Sequence, residues 1–309
     1  MEPVRGLGAL PPPDGPTVVT VGFFDGVHVG HQTVLRRAVA EAARLGLRSV
    51  AVTFDRHPRE ILTPGREPRL LTTVERKADL IAATGVDMVV VLEFTDTFSR
   101  WPAEDFVTRV LVDGLRVRHA VVGADFTFGF EALGTPEMLI EVGPSYGFTA
   151  ERVELVHVGT RRVSSSSIRS ALAEGDLVWP ERALGRRFAL DGTVVPGAGR
   201  GVGLGWPTAN LRTHPRLLLP GSGIYAGRAL VPQGEWVAAI SVGTNPTFGV
   251  EPLHVESYLL DFDGDLVGTP MEVEFWARLR DEERFDTAED LSRAIEDDVR
   301  RTREVVPAP

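Results

Sequence analysis

Two histidines stand three residues apart in the stretch GFFDGVHVGHQTVL, residues 22–35, where Gly30 separates His28 from His31. The apolar TVVTV before it predicts a buried strand, and the residues after it have helical spacing. The histidines therefore lie where a strand leads into a helix N-terminus, which attracts anions. Gly26 and Gly30 leave room for a ligand to approach the backbone. The stretch predicts a site for phosphate.

Two other roles for this histidine pair stay open. A histidine in a loop is more often a hydrogen-bonded structural residue than a ligand. Zinc would need a third and a fourth ligand, but only Asp25 is close in sequence, and the chain has no cysteine and no H-E-x-x-H pattern. We therefore favour phosphate over metal, with a structural role as the alternative.

A second candidate site begins with five alternate glycines in VPGAGRGVGLGWPTANL, residues 195–211. If this segment is extended, the spacing removes side chains from one face, so that the backbone can lie against a ligand. Thr208 and Asn210 would point the same way on a strand, and their oxygens suit Mg²⁺ together with nucleotide phosphates. A flexible linker and a structural turn are the alternatives.

The charge and composition restrict the partners of the chain. The formal net charge of -10 argues against broad binding to nucleic acid or anionic lipid, so any phosphate site must be local. Lys77 is the only lysine and is expected on a helix surface. With no lysine in a glycine-rich motif, a Walker-type site is excluded, and phosphate contacts are left to arginine.

The chain has no cysteine, no membrane-length apolar run and no signal peptide, so we expect a cytoplasmic protein without a membrane partner.

The first half alternates apolar strands with amphipathic helices. One helix follows the histidines and ends at Gly46, and another begins at a capping box formed by Thr72 and Glu75. Strands that are apolar throughout and alternate with helices indicate a parallel sheet covered on both faces, here a Rossmann-like α/β domain. The predicted strands are residues 17–21, 49–54, 88–92 and 120–123.

The pattern changes from about residue 186 to short β-rich segments separated by Gly/Pro turns. Such a succession predicts a small antiparallel β-barrel or sandwich, and a terminal helix follows, capped by Thr287. We place the boundary after WPERALG, which gives domains of residues 1–185 and 186–309. The predicted strands are FALDGTVV, YAGRALV, EWVAAISV, HVESYLL and MEVEFWA.

The histidine stretch, written as H-x-G-H, resembles the nucleotidyltransferase superfamily, whose members transfer a nucleoside monophosphate from an NTP. Three further segments, VTFDRHPRE, VVGADFTFG and VSSSSIRSALAEGD, resemble the FAD-synthetase module of bacterial bifunctional riboflavin kinase/FAD synthetases. The resemblance implies that His28 and His31 contact the triphosphate and act in catalysis. The ATP contacts it implies are Gly22, Phe24, Asp25, Gly26, His28, Gly30, His31, Ser164, Ser165, Ser166 and Arg169. The flavin contacts it implies are His57, Pro58, Asp125, Phe126 and Phe128, although both phenylalanines are equally well explained as core residues.

Five segments of the second half resemble the riboflavin-kinase module, namely GTVVPGAGRGVGLGWPTANL, GIYAG, SVGTNPTFG, HVESYLLDF and LRDEERFDTAEDL. The resemblance implies that Thr208 and Asn210 bind Mg-ATP and that Glu256 is the base acting on the riboflavin 5′-hydroxyl. A solvent-facing strand residue is the alternative for Glu256. The other ATP or flavin contacts implied here are Gly197, Gly199, Gly201, Gly205, Pro207, Asn245, Thr247 and Phe248.

Together the resemblances span nearly the whole chain and imply a bifunctional transferase. It would phosphorylate riboflavin to FMN and adenylylate FMN to FAD, with ATP as co-substrate and Mg²⁺ as cofactor. A nucleotidyltransferase for another phosphorylated small molecule, with a regulatory barrel, is one rival hypothesis, and a flavin storage protein is another. Small molecules are the expected partners, and homo-oligomers and delivery of FMN or FAD to apoflavoproteins are left open.

Overall fold

The computed structural model describes residues 2–6, 8, 15–197, 200–203, 205–244 and 253–309. The chain divides into two compact units, Met1–Ser165 and Ser166–Pro309. The helices Ser165–Ala173 and Val178–Leu184 thus lie almost entirely in the second unit, ahead of its first strand. No helix within the described ranges is both long and apolar enough to cross a membrane.

The first unit is built on a parallel sheet of six strands. Residues 17–21 and 88–92 are buried throughout, as expected of strands covered on both faces. This confirms the parallel α/β sheet predicted from the alternation of strands and helices. The strands are β1 Val4–Arg5, β2 Thr17–Val21, β3 Arg48–Phe54, β4 Met88–Leu92, β5 Val117–Gly123 and β6 Thr149–Val153.

The strand order β1-β4-β3-β2-β5-β6 reverses direction between β2 and β5. β3 and β4 extend the sheet from one side of β2, whereas β5 and β6 extend it from the other. In open α/β sheets, a crevice forms at such a switch point beyond the carboxyl ends of the strands, and ligands bind there. The loops after β2 and β5 flank this crevice and carry the histidine stretch and VVGADFTFG.

Alternate residues of the strands pack into apolar clusters on opposite faces of the sheet. Val19 and Val52 pack with Phe106 in one cluster, whereas Val18 packs with Ala38 in another. The helices of this unit are α1 Val29–Leu45, α2 Arg59–Leu62, α3 Val74–Ala82, α4 Asp96–Ser99, α5 Ala103–Phe106 with the π-helical turns Val107–Gly114, and α6 Pro136–Val142. A short hairpin of β7 His157–Val158 and β8 Arg161–Arg162 precedes the second unit.

The first helix ends at Gly46 as predicted, but it begins at Val29, between the two histidines rather than after them, and α3 begins one residue later than predicted. The chain leaves α1 through Gly46, whose φ of 65° lies in the left-handed region that favours glycine. At α3 the cap is Thr73, whose side chain accepts a hydrogen bond from the N–H of Arg76. The predicted Thr72 box is wrong, because the hydroxyl of Thr72 accepts instead from the N–H of Gly26 at 3.2 Å.

Lys77 lies on the covered face of α3, so the expectation that it is on the surface is wrong. It is 2% exposed and shares that face with the buried residues Ala78 and Ile81. Its Nζ donates a hydrogen bond to the carbonyl of Phe54 at 2.8 Å. Helical spacing identifies the buried face from apolar residues only, so it gave no indication that a charged residue is also buried.

The second unit contains a closed antiparallel barrel of six strands in the order β10-β13-β12-β11-β14-β9. This confirms the predicted barrel, and five of its strands coincide with the predicted segments. The sixth, β10, begins inside WPTAN. The strands are β9 Phe188–Val195, β10 Ala209–Thr213, β11 Gly223–Val231, β12 Gly234–Gly243, β13 His254–Leu259 and β14 Pro270–Arg280.

The helices of the second unit include one in the glycine-rich segment. That segment is therefore not extended over residues 200–203, where the N–H of Trp206 donates to the carbonyl of Gly201 at 2.8 Å. The last helix is capped by Thr287, as predicted, and the side chain of Thr287 accepts a hydrogen bond from the N–H of Asp290. The helices are α7 Ser165–Ala173, α8 Val178–Leu184, α9 Arg200–Gly203 and α10 Ala288–Val305.

Candidate active sites

The loops after β2 and β3 contact each other at the crevice of the first unit. The rings of Phe23 and His57 meet edge to face with centroids 4.7 Å apart. At the start of α7, the hydroxyl of Ser165 donates to the carbonyl of Asp25 at 3.0 Å. The histidine stretch, VTFDRHPRE and the beginning of the serine run are thus brought together at one edge of the sheet.

His28 caps α1 and orders the histidine pair. Its Nδ1 accepts a hydrogen bond from the N–H of His31 at 3.2 Å, and the two rings stack with centroids 3.5 Å apart. A neutral His28 whose Nδ1 is an acceptor carries its proton on Nε2, so that atom is the donor. A Cβ at Gly30 would lie 3.1 Å from the His28 ring, so a larger residue there would displace the imidazole.

Asp25 supports the histidine loop from beneath. It is 2% exposed, and its carboxylate accepts hydrogen bonds from the N–H groups of Leu71 and Thr72 at 2.9 and 3.2 Å. Phe24 and Gly26, with φ of 54° and 76°, turn the chain around this carboxylate. The carboxylate is thus enclosed by the protein, and contact of Asp25 with ATP stays a prediction.

His57 is fixed by the first residues of α2. Its Nδ1 accepts from the N–H of Arg59 at 3.1 Å, and its own N–H donates to the carboxylate of Glu60 at 3.0 Å. Pro58 is the N-cap residue of this short helix. The imidazole is therefore held in one orientation, with Phe23 against it.

The other residues predicted to contact flavin differ in exposure. Phe128 is 7% exposed and packs against Phe106 in the core. Phe126 is half-buried and stacks on Phe128 with centroids 5.4 Å apart. Asp125 is exposed and pairs with Arg162 at 2.5 Å. Phe128 thus forms a buried platform beneath Phe126. Of these three side chains, those of Phe126 and Asp125 are accessible to a ligand.

The serine run begins α7 but divides between the two units. Ser164 and Ser165 end the first unit, and Ser165 holds the histidine loop through the carbonyl of Asp25. Ser166 and Arg169 follow on α7 in the second unit, where Arg169 is half-buried. Contact of these two residues with ATP stays a prediction.

The second candidate site is a cavity of about 740 Å³ beside the barrel. Its walls come from β9, β10, β13, the glycine-rich segment and residues 262–267. Cavities of roughly 300–1,000 Å³ are typical of small-molecule sites. The predicted residues that line it are Gly197, Gly201, Pro207, Thr208, Asn210 and Glu256.

Glu256 faces this cavity rather than bulk solvent. It lies directly opposite Asn210 in the pairing of β13 with β10. Its Oε2 accepts a hydrogen bond from the hydroxyl of Thr208 at 2.9 Å, and its Oε1 lies 3.0 Å from Nε2 of His254. The intervening Val255 is buried in the barrel, so alternation along the strand turns Glu256 outward into the cavity.

Two glycines of the segment make close approaches that a side chain would block. A Cβ at Gly197 would lie 2.1 Å from the amide nitrogen of Asn210, and one at Gly201 would lie 2.2 Å from the carbonyl of Trp206. Gly205 turns the chain with φ of 83°. The predicted residues Gly199, Asn245, Thr247 and Phe248 lie outside the described residues.

His254 is a cavity residue that the sequence analysis did not single out. Residues i and i+2 of a strand share a face, so H-V-E places an imidazole beside a carboxylate. The spacing of two residues between His254 and Glu256 was therefore the feature of the sequence that could have identified His254. Residues 262–267, which include Asp263 and Asp265, also line the cavity, and no pattern in the sequence indicated their position.

The oxygen donors of the cavity suit Mg²⁺. Thr208 supplies a hydroxyl just before β10, Asn210 an amide oxygen on β10, and Glu256 a carboxylate on the adjacent strand β13. In the part of the chain that the structure describes, no cluster of three or more His, Cys, Asp or Glu residues forms a complete metal site. A cation here would take its remaining ligands from phosphates and water, as magnesium does.

Two family models match the chain in succession. The model for FAD synthetase matches residues 11–167, and the model for riboflavin kinase matches residues 184–306. The first match covers the crevice with the histidine stretch, and the second covers the barrel with its cavity. The order of the two matches is the order of the two resemblances.

Several similar proteins match the chain over almost its full length. Three relatives are bifunctional riboflavin kinase/FMN adenylyltransferases. That of Pseudomonas fluorescens is 40% identical, over 98% of this chain and 97% of the relative. Those of Listeria monocytogenes and Escherichia coli K12 are 35% and 34% identical, over 93% and 98% of this chain and 91% and 97% of the relatives.

A solved structure of a chain described as a macrolide-efflux protein from Streptococcus pneumoniae is also similar. It is 29% identical and matches with a TM-score of 0.86, over 98% of both chains. Its likeness thus extends through both units. With both family models matched and relatives aligned over almost its full length, the chain belongs to the family of bifunctional riboflavin kinase/FMN adenylyltransferases.

Proposed function

We propose that the barrel cavity and the sheet crevice are the sites of two successive steps of flavin cofactor synthesis. The chain is a riboflavin kinase and an FMN adenylyltransferase. The kinase step moves the γ-phosphoryl group of ATP onto the riboflavin 5′-hydroxyl, giving FMN and ADP. The second step joins the adenylyl group of another ATP to the FMN phosphate, giving FAD and pyrophosphate. Neither rival hypothesis is retained.

The kinase assignment depends on one observation above all, the hydrogen bond of 2.9 Å between Thr208 and Glu256 in the cavity. In this assignment, Glu256 accepts the proton of the riboflavin hydroxyl as that oxygen attacks the γ-phosphorus. Thr208 and His254 hold its two carboxylate oxygens, so the base is oriented before substrate arrives. General base catalysis of this kind typically contributes ~10²–10⁴-fold.

Thr208 and Asn210 would hold Mg²⁺ together with the ATP phosphates. The bound cation would neutralise charge on the phosphoryl group during transfer. The hydroxyl of Thr208 can donate its hydrogen to Glu256 while its lone pairs face a cation. One residue would therefore serve both the base and the nucleotide.

In the crevice, we assign His28 and His31 to the triphosphate. The Nε2 donor of His28 and the first N–H groups of α1 both suit a phosphate oxygen, and the helix dipole favours negative charge there. The FMN phosphate is already ionised near neutral pH, so it attacks the α-phosphorus without a strong base. The bond from that phosphorus to the bridging oxygen breaks, and pyrophosphate leaves with the electron pair.

The flavin end of FMN is assigned to the other loops of the crevice. His57 with Phe23 forms one wall, and Phe126 on its Phe128 platform offers a ring for stacking. Asp125 offers a carboxylate that is now paired with Arg162. Stacking of aromatic rings at centroid distances of about 4.5–7 Å is the ordinary geometry for such contacts.

Several further assignments are proposals. We place the functional boundary at residues 185/186, just after the start of the match to the riboflavin kinase model at residue 184. A cytoplasmic location agrees with the absence of cysteine from the chain. Homo-oligomers and delivery of FMN or FAD to apoflavoproteins are tested by light scattering and by transfer to an apoflavoprotein, respectively.

The test of the proposed function is turnover of the purified protein. Riboflavin is incubated with ATP and MgCl₂, and flavins are separated by chromatography over time. FMN should appear first and FAD should follow, with ADP and pyrophosphate as co-products, and EDTA should stop both steps. Absence of FMN from riboflavin would overturn the kinase assignment. Absence of FAD when FMN is supplied would overturn the crevice assignment.

A further inference from the structure

The only lysine of the chain is buried under the crevice of the first unit. Lys77 is 2% exposed, and its Nζ donates to the carbonyl of Phe54 at 2.8 Å. The same ammonium lies 4.2 Å from the centroid of the Phe23 ring. A cation over an aromatic face at this distance is attracted by the ring, and the attraction is stronger when both groups are shielded from water.

Burial of this ammonium is unfavourable unless its contacts compensate. Burial lowers the pKa of Lys77 from 10.5 to about 8, and the charges of Asp25, Asp55 and Glu75 oppose part of that shift. A methionine or leucine would fill the same space without the loss of hydration. Natural sequences depart from such local rules mainly at functional sites, where the departure has a use.

The two contacts of Lys77 join the loops that form the flavin wall. Phe54 is the last residue of β3, and the loop after it leads to His57. Phe23 lies in the loop after β2, and its ring contacts His57 edge to face at 4.7 Å. The carbonyl of Phe23 also accepts from the hydroxyl of Thr53 at 2.9 Å. One ammonium thus fixes the end of one strand and the aromatic ring of the neighbouring loop.

We propose that Lys77 is a positioning residue of the adenylyltransferase, which holds Phe23 and His57 in place to receive the isoalloxazine end of FMN. This inference rests on the proposed assignment of the crevice to FMN. Lys77 acts through Phe23 and the end of β3 and touches no substrate. Its loss should therefore weaken FMN binding more than the chemical step or ATP binding.

The experiment compares the wild type with Lys77→Met, whose unbranched side chain is one atom shorter and lacks the charge and the donor. Steady-state adenylylation is measured with FMN and ATP each varied in turn. We expect the KM for FMN to rise about tenfold, with kcat and the KM for ATP changed less than about twofold, because the wall loses its fixed geometry. A variant with all three constants at wild-type values would overturn the proposal.

Two controls accompany the variant. The kinase rate of the same preparation reports on the other unit and should not change. Arg109→Met removes a second cation–ring contact of the first unit, between Arg109 and Trp101 at 4.8 Å, that involves no predicted site residue. Arg109→Met should leave the KM for FMN unchanged. If the KM for FMN rose as much in Arg109→Met as in Lys77→Met, loss of any cation–ring contact would loosen the first unit, which would contradict a specific role of Lys77.

A measurement on the wild type covers the case in which Lys77→Met does not fold. With a single lysine, lysine-selective ¹³C labelling gives one ε-carbon signal, which needs no further assignment. Addition of FMN should shift this signal, whereas addition of the same buffer without FMN should not. A wild type that makes FAD but shows no shift with FMN would overturn the role of Lys77 alone. A wild type that makes no FAD would overturn the proposed function itself.

Discussion

At the scale of single residues, each site relies on a polar side chain held by a close neighbour in sequence. His28 accepts from the N–H of His31 three residues on, and Glu256 lies beside His254 two residues back. Helix caps and alternation along strands bring such pairs together. The reactive atoms are therefore oriented before any ligand binds.

The kinase base can be tested by a nearly isosteric change. Glu256→Gln keeps the shape of the side chain but cannot take a proton from riboflavin, so we expect kinase kcat to fall by ~10²–10⁴-fold. Glu274→Gln, the same change on another barrel strand, should have no such effect. Formation of FAD from supplied FMN should continue in both variants. Normal kinase turnover in Glu256→Gln would mean that the base lies elsewhere.

The buried ammonium of Lys77 should titrate well below the ordinary pKa of a lysine. We expect the lysine signal to titrate with a pKa of about 8, because burial disfavours the charged form. The unfolded chain keeps the proton up to about pH 10.5, so the unfolding free energy should rise between pH 8 and 10.5, by roughly 3 kcal/mol in all. Lys77→Met should remove this rise, measured in urea up to about pH 9.5, before the tyrosines titrate. A lysine pKa near 10.5 would contradict the burial described here.

At the scale of elements, the sites lie where regular structure ends. The crevice occupies the carboxyl ends of β2, β3 and β5 at the switch point of the sheet, and α1 begins inside it. In the barrel, β10 and β13 place Asn210 opposite Glu256, and the glycine-rich segment passes close to them. Substitutions that move these elements should therefore change the rate of the reaction at each site, even where the substituted residue does not itself react.

The N-cap of α1 has two roles that one substitution can separate. His28→Ala should lower the unfolding free energy by about 1 kcal/mol through loss of the cap, and it should also abolish FAD formation. His28→Asn restores a cap but has no imidazole donor, so stability should recover while adenylylation stays lost. Denaturation curves and FAD assays on both variants check this. Recovery of activity with stability would reduce His28 to a structural residue.

The glycine-rich segment is tested by a matched pair of substitutions. A Cβ at Gly197 would lie 2.1 Å from the amide of Asn210, whereas nothing lies within 4 Å of a Cβ at Gly203. Gly197→Ala should therefore displace Asn210 and lower kinase activity at least about tenfold, and Gly203→Ala should leave it unchanged. Kinase assays at several Mg-ATP concentrations distinguish the two. Equal rates would show that Asn210 is not needed in its present position.

Much of this architecture could be predicted from the sequence because its strands are apolar throughout and its motifs stand at their ends. The exceptions depend on tertiary contacts. Thr72 would be an ordinary cap by sequence, but the buried Asp25 and the N–H of Gly26 engage it, so Thr73 caps instead. Lys77 and His254 likewise acquire their roles from partners brought by folding.

At the scale of the whole molecule, the chain joins two enzymes whose order follows from their chemistry. The FMN phosphate that attacks ATP in the second step is the group installed in the first. Each unit has its own fold, a parallel sheet or a closed barrel, and its own candidate site. The central claim is that the two sites are separate and that each acts without the reacting groups of the other.

The most direct test of this claim uses Glu256→Gln and His31→Ala, separately and mixed. Each sample receives riboflavin with Mg-ATP, and FMN and FAD are quantified by chromatography. We predict that Glu256→Gln forms both flavins ~10²–10⁴-fold more slowly than the wild type, that His31→Ala stops at FMN, and that the mixture forms FAD from the FMN that one variant releases. Loss of FMN formation in His31→Ala, or a mixture that forms FAD no faster than Glu256→Gln alone, would contradict two separate sites.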